Sequence, residues 1–241
     1  MSEVYRHLDT VEFEDIASRI LYEDNHLLIF NKRTGEITQG DKTEDEPLPE
    51  TLKAFVAQRD NKPSKVFMGV PRRLDRPVSG IVVFAKTSKA LERMNELFRV
   101  GNVSKYYWAL VEKCPDPAAG QIKSYLVRNE KQNKSYSYPH PKAGAKEAVL
   151  NYRLIEPTKN YLLVEVELLT GRHHQIRCQL ASIGCVIKGD LKYGARRSNK
   201  DGGISLQAHR ICFTHPVKQT PIDITAPDFP IFSPKTDNPH K

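Results

Sequence analysis

At 241 residues and 27.4 kDa the chain can bury one substantial core, or two modest lobes, without disulfide or metal support. Cys114, Cys178, Cys185 and Cys212 are scattered, form no C-x-x-C pair and follow no secretory leader, and no apolar run approaches the roughly 20 residues that span a bilayer, so a reduced, cytoplasmic setting away from membranes is expected. The net charge of +8 is uneven: residues 36–50 hold six acids and one base, leaving +13 on the remainder, which suits a folded surface for nucleic acid or anionic lipid and not a disordered basic tail, the absence of an amphipathic basic helix favouring nucleic acid.

In chain order, Leu27-Leu28-Ile29-Phe30 lies between a polar run and Thr34-Gly35 and predicts a strand. Residues 39–49 are acidic, contain two prolines and lack periodicity, predicting an exposed, mobile excursion. Leu52, Phe55 and Val56 predict a short amphipathic helix over 49–59. A buried strand is expected over 80–86, then a helix capped by Ser88, with Leu91, Met94, Leu97 and Phe98 on its apolar face and Gly101-Asn102 at its end. Further strands are expected at 105–111, 148–155 and 162–169; in the last, Val164, Val166 and Leu168 oppose Glu165 and Glu167. A helix over 173–183 should bury Ile176, Leu180 and Ile183 before Gly184 stops it, and residues 206–226 supply two more strands. Paired strands with few, non-alternating helices make an α+β fold with a largely antiparallel sheet. One folded unit is expected over 15–232, the acidic loop 36–50 inserted in it, with a poorly ordered Pro-rich tail at 233–241.

Two segments concentrate chemistry. Arg72-Arg73-Leu74-Asp75-Arg76-Pro77-Val78-Ser79-Gly80 sets one carboxylate among three guanidinium groups, which would hold it ionised and attract a polyanion. Alternatively Asp75 simply neutralises an arginine cluster at a turn. Leu169-Thr170-Gly171-Arg172-His173-His174-Gln175-Ile176-Arg177 runs from a strand through a glycine turn to a helix start, where backbone donors favour anions. Arg177 would leave that helix at the margin of its packed face, either to pair bidentately with a carboxylate from elsewhere or to lie in solvent. In Lys105-Tyr106-Tyr107-Trp108-Ala109-Leu110, Tyr107 shares a strand face with Lys105 and Ala109 and opposes Tyr106 and Trp108; it serves either the core or a ligand.

His173, His174, Cys178 and Cys185 lack the spacing of a metal site, because adjacent histidines on a helix diverge by about 100° and no paired cysteines or His-Glu-x-x-His accompany them. The two cysteines are expected in the core. No G-x-x-x-x-G-K or G-x-G-x-x-G stretch is present, so no cofactor is expected.

Taken together these segments strongly resemble the RluA family of RNA pseudouridine synthases, from about Ile20 to Thr225. The resemblance runs in order through Arg73-Leu74-Asp75-Arg76-Pro77-Val78-Ser79-Gly80, Lys105-x-Tyr107-x-Ala109-Leu110, Lys146 to Tyr152, Gly171-Arg172-x-His174-Gln175-Ile176-Arg177, Gly189-Asp190-x-x-Tyr193-Gly194, and Leu206-x-Ala208-His209 to His215-Pro216. It implies a pseudouridine-synthase fold, a mixed sheet in two sub-lobes flanked by helices with a central basic cleft. It also implies Asp75 as catalytic aspartate, Tyr107 as active-site tyrosine and Arg177 as the arginine that pairs with the aspartate. Arg72, Arg73, Arg76, Lys105, Arg172, His174 and Gln175 are the expected substrate-binding residues, with residues 121–146 as a further basic stretch for the RNA backbone. Arg72 stands where the family usually has histidine, and Lys32-Arg33-Thr34-Gly35 replaces its Lys-Pro-x-Gly; both bear on how RNA is held.

The implied reaction isomerises uridine in ribosomal or transfer RNA to its C-glycoside without cofactor, metal or redox change. A monomer lacking an N-terminal RNA-binding module is expected. Two readings compete: an RNA-binding protein without catalysis, which gives no reason for a lone aspartate among arginines, and a metal-dependent nuclease, which would want several carboxylates around Mg²⁺.

Overall fold

The computed structural model describes residues 5–41, 43–62, 65–158 and 160–227; the expected disordered tail lies outside them. Among the described residues, four helices and ten strands form an α+β fold around one mixed, mostly antiparallel sheet. The strands are β1 (Ile20–Glu23), β2 (Leu27–Lys32), β3 (Ser79–Ala85), β4 (Val103–Val111), β5 (Ala119–Asn129), β6 (Lys134–Tyr138), β7 (Lys146–Pro157), β8 (Leu162–Leu168), β9 (Leu206–Thr214) and β10 (Pro221–Thr225). The helices are α1 (Thr10–Ser18), α2 (Leu48–Arg59), α3 (Ser88–Val100) and α4 (Gln175–Ser182).

The sheet runs β1-β2-β3-β9-β4-β8-β7-β5-β6, with β10 on β9, so the two expected sub-lobes are halves of one continuous sheet. Every pairing is antiparallel except that of β3 with β9, which is parallel and limited to Ser79↔Gln207 and Gly80↔Ala208. The backbones approach so closely there that a Cβ on Gly80 would collide with the Ala208 main chain, and Gly80 has φ +104°, a conformation L side chains rarely adopt. This seam lies directly after the arginine-rich segment.

Three large hydrophobic cores support the sheet, beside a small cluster of Leu126, Ala148 and Cys178. One joins β4, β5, β7 and β8 to α4 through Ala109, Ile122, Leu150, Val164 and Ile176; a second gathers Ile29, Val83, Met94, Ile211 and Phe213; a third packs Leu28, Phe30 and Phe84 on Ile16, Leu52 and Phe55. Leu74 packs against all three. The side chain adjoining Asp75 is thus fixed where both halves of the molecule meet.

Local expectations met several corrections. The cap of α3 is Thr87, whose hydroxyl accepts the Ala90 N–H at 3.1 Å, not Ser88. Helix α4 starts only at Gln175, because His174 adopts a left-handed φ of 52°, and Ile183 just beyond it is 39% exposed where burial was expected. Cys178 and Cys185 are in the core as expected. No described helix is long and apolar enough to cross a membrane.

Candidate active site

Asp75 sits on the turn leading into β3, and the main chain around it is held from both halves. The Asp75 carbonyl accepts the Val78 N–H at 3.0 Å, the Arg76 carbonyl accepts the Gly35 N–H at 2.9 Å, and the Pro77 carbonyl accepts the Ile204 N–H at 3.0 Å. Lys32, only 1% exposed, adds its ammonium to the carbonyls of Arg33 and Arg76 at 2.8 and 3.2 Å. Burial lowers the Lys32 pKa to about 8 against the opposing pull of Glu36 and Asp75. With its backbone so fixed, the Asp75 side chain remains 39% exposed and faces a cleft of about 1080 Å³.

The facing wall is α4 and the turn before it. Gln175 shapes that turn: its Oε1 accepts from the Arg172 N–H at 3.0 Å and the Thr170 hydroxyl at 2.8 Å, while its Nε2 donates to the Val149 carbonyl at 3.1 Å. Its polar atoms are thereby spent on the fold. Arg177 is not marginal or solvated but buried, at 5% exposure. Its Nη1 lies 3.6 Å from Asp75 Oδ2, so the expected partners do meet, but the bidentate pair forms elsewhere: Nε and Nη2 donate to the two oxygens of Asp190 at 2.7 and 2.8 Å. Burial opposes the Arg177 charge, but the Asp190 hydrogen bonds and the carboxylates of Asp190 and Asp75 raise its pKa overall.

His174 Nε2 is 3.4 Å from Asp75 Oδ2 and 2.9 Å from Arg177 Nη1, while Nδ1 is 3.0 Å from the Tyr193 hydroxyl. Burial first, then the neighbouring Arg177 charge, drive its pKa down to about 2, so the imidazole beside Asp75 is neutral. His173 and His174 precede the helix and stack, ring centroids 3.8 Å apart, instead of diverging as helical neighbours would. Among the described residues no group of three or more His, Cys, Asp or Glu is arranged to hold a metal ion.

Tyr107 lines the cleft from β4, paired to Val166 and Ala208. Its burial raises the phenol pKa to about 12, with Arg72 opposing and Asp75 reinforcing the shift, so the hydroxyl stays protonated at neutral pH. Lys105, expected alongside it, falls outside the cleft lining; burial and then the Arg72 charge bring its ammonium down to about 8.

Arg72, Arg73, Arg76 and Arg172 all reach the cleft, but none is unengaged. Arg72 donates to the Gly171 carbonyl, Arg73 to Gln39 Oε1 at 2.7 Å and Arg172 to the Glu147 carbonyl at 2.8 Å. Arg76 is gripped by Asp41 and Asp45 at 2.9 and 2.6 Å. The acidic excursion is exposed, as expected, but it is anchored to the arginine cluster and forms one rim of the cleft.

Arg128, Asn133 and Lys192 form the opposite rim. The first two fall in the basic stretch noted from the sequence; Lys192 escaped notice, as did any role for Asp190 and Tyr193, although the Gly189-Asp190-x-x-Tyr193-Gly194 pattern marked their segment. A lone acid between two glycines, just after the short apolar run Cys185-Val186-Ile187, was the available signal.

Residues 26–182 match the model of the RNA pseudouridylate synthase family. The chain is 32% identical over 229 residues to an uncharacterized RNA pseudouridine synthase of Mycoplasma genitalium, covering 95% of this chain and 72% of that one. It is 33% identical to ribosomal large subunit pseudouridine synthase C of Vibrio cholerae, covering 86% of this chain and 65% of the relative, and 32% identical to ribosomal large subunit pseudouridine synthase D of Zymomonas mobilis, covering 89% and 70%. The chain thus spans about two thirds of the length of these ribosomal relatives. In fold it is similar to human RNA pseudouridylate synthase domain containing 4, with a TM-score of 0.76 at 23% identity over 92% of this chain and 93% of that one.

Proposed function

The chain belongs to the RNA pseudouridylate synthase family, isomerases that convert uridine in RNA to pseudouridine, and from that premise we propose that Asp75 initiates this reaction on large-subunit ribosomal RNA, in a cytoplasmic monomer. The observation that carries the reading is the Asp75 carboxylate: it is open to a cleft walled by arginines, its oxygen faces Arg177 and a neutral His174, and its backbone is pinned from both halves of the fold. The relatives' ribosomal names support the choice of RNA; transfer RNA is the other candidate.

The reaction breaks the bond between ribose C1′ and uracil N1, turns the uracil and closes a new bond to C5. The C5 proton is lost and N1 gains one, so no external reductant or oxidant enters. Asp75 acts either by attacking C1′ or by promoting elimination across the ribose; both use an exposed carboxylate and no cofactor. Tyr107, as a protonated phenol, would contact the extruded base and hold its orientation through ring and hydroxyl. Arg72, Arg73, Arg76 and Arg172 would take the phosphates around the displaced nucleotide, Arg177 and His174 would set the carboxylate, and Gln175 would keep the turn in shape. Lys105 would act on substrate only through its charge beside Arg72. Extruding the base costs a few kcal/mol, least in loops and bulges.

The test uses ribosomal and transfer RNA carrying tritium at uridine C5, incubated with the protein in EDTA. Release of label with intact strands is expected, lost in Asp75→Asn while RNA affinity stays within about twofold, since the substituted carboxylate contributes nothing to phosphate binding. Retained label with RNA bound, or strand scission in a parallel incubation with Mg²⁺ that EDTA stops, would hand the protein to one of the competing readings.

A further inference from the structure

The most deeply buried carboxylate beside the cleft is not the one that faces it. Asp190 is 1% exposed and takes the whole outer edge of the Arg177 guanidinium, Nε to Oδ2 and Nη2 to Oδ1. Only Nη1 is left over, and it points to His174 Nε2 at 2.9 Å and Asp75 Oδ2 at 3.6 Å. Asp190 is itself fixed by the chain. Its N–H donates to Ile187 at 3.0 Å, its carbonyl accepts the N–H groups of Tyr193 and Ala195, and the Lys188 N–H just before it donates to the Leu110 carbonyl at 2.8 Å. The carboxylate therefore rides on the end of β4, the strand that presents Tyr107. It reaches across to α4, the helix that presents Arg177.

Resting on the function proposed above, we propose that Asp190 is a positioning residue that keeps Arg177 from chelating Asp75. A guanidinium has two edges suited to a carboxylate, and a bidentate pair is the arrangement it adopts when a carboxylate is within reach. With Asp190 removed, the guanidinium is free to turn, and Asp75, 3.6 Å from Nη1, is the other carboxylate with which it is paired. A fork-to-fork pair there would occupy both Asp75 oxygens and lower the reactivity of the group that must attack or accept a proton. With Asp190 in place, Arg177 offers one N–H group at a longer distance, and the Asp75 carboxylate stays open to the cleft. The same clamp fixes the second layer: the guanidinium lies 5.1 Å from the Tyr193 ring, and the Tyr193 hydroxyl, which accepts the Ser135 N–H at 2.8 Å, contacts His174 Nδ1.

The experiment compares wild type with Asp190→Asn, Asp190→Glu, Arg177→Gln and the double variant Arg177→Gln/Asp190→Asn, measuring label release, RNA affinity and melting. Asp190→Asn keeps the shape but loses the charge and one acceptor, and kcat is expected to fall on the order of 100-fold, as for a misplacement near the chemistry, with KM and RNA affinity within about twofold. Asp190→Glu keeps the buried charge pair, and hence the fold, but displaces the guanidinium by about a methylene; its melting is expected to hold while its kcat falls. A merely structural carboxylate would be served by glutamate, so this variant carries the test if the asparagine protein does not fold. The double variant should be no slower than Arg177→Gln alone, because Asp190 acts through Arg177. Folded Asp190 variants with kcat within twofold of wild type, a loss confined to RNA affinity, or an additive further loss in the double variant would overturn the inference. Failure of wild type to release label would instead overturn the function on which it rests.

Discussion

Substituting Gly80 by alanine tests whether the narrow seam between β3 and β9 holds the site together. The added methyl meets two separate penalties. At φ +104° an L residue is strained by about 1–2 kcal/mol. The Cβ would also lie 2.7 Å from the Ala208 nitrogen and 2.9 Å from its carbonyl carbon, main-chain atoms with no rotamer to change. Relief must come from separating the strands, and only two residue pairs join them, so one or two backbone hydrogen bonds worth about 1 kcal/mol each are forfeited. The total is about 2–4 kcal/mol, a fall in melting temperature of roughly 4–16 °C for a domain of this size. Gly101 supplies the internal control: it has φ +81° at the end of α3 but nothing within 4 Å of its would-be Cβ, so Gly101→Ala should bear the conformational penalty alone, about 1–2 kcal/mol. Calorimetry on both variants, with label release measured below each transition, gives the comparison. Gly80→Ala should lose turnover well before it melts, since the seam begins four residues after Asp75. Equal destabilisation by the two substitutions would refute the reasoning from close approach.

Other measurements address the electrostatics. The Tyr107 phenol is held near pKa 12, so its ionisation should contribute no break to the rate profile between pH 6 and about 9; a basic-limb break in that interval that disappears in Tyr107→Phe would contradict it. Lys105, lowered to about 8 from 10.5, is charged at an unfavourable site below pH 8, so the folded state gains stability as pH rises from about 8 to 10.5. Denaturation of Lys105→Met and wild type should therefore differ most in favour of the variant below pH 8, by about 1 kcal/mol after allowance for solvent screening, and converge towards pH 10.5; a pH-independent difference would count against the buried-ammonium account. Replacing Asp41 and Asp45 by asparagine frees Arg76 for phosphate, and the slope of log affinity against log salt should steepen by about one unit in filter-binding titrations; an unchanged slope would mean that the freed Arg76 adds no phosphate contact.

Much of the central sheet was readable because its strands alternate or run apolar between clear turns, as β2, β3, β4, β7 and β8 do. The hairpin of β5 and β6 was not. Its inward face carries Ser124 between Ile122 and Leu126, and a polar residue at a buried register breaks the alternation. The structure satisfies it with the Gln179 amide at 2.9 Å and the Ser137 hydroxyl at 2.9 Å, contacts that no local pattern reveals. Helix α1 was missed for a related reason: only Ile16 is buried on it, and Asp9, which accepts the Glu12 N–H at 2.8 Å, is its main local signal.

At the site, the types and rough positions of Asp75, Tyr107 and Arg177 were legible, but the pairing was not. A helix arginine with two carboxylates in reach takes whichever the fold delivers edge-on, and the reach of Asp190 depends on the tie between residues 187–188 and β4. The acidic excursion misled in the opposite direction. Prolines and clustered acids describe a loop, but its role as an ionic rim required the guanidinium of Arg76 to lie opposite.

Leu74, shared by three packing units, also bounds the temperature range in which the protein can work. Packing units soften at different free energies before the whole chain lets go. The reactive acid is one peptide bond from a side chain that touches the three larger ones, so it inherits the positional scatter of whichever of these loosens first. Heating should then blunt turnover while far-ultraviolet dichroism still looks intact, and the practical thermal ceiling belongs to the weakest unit and not to the average of the fold.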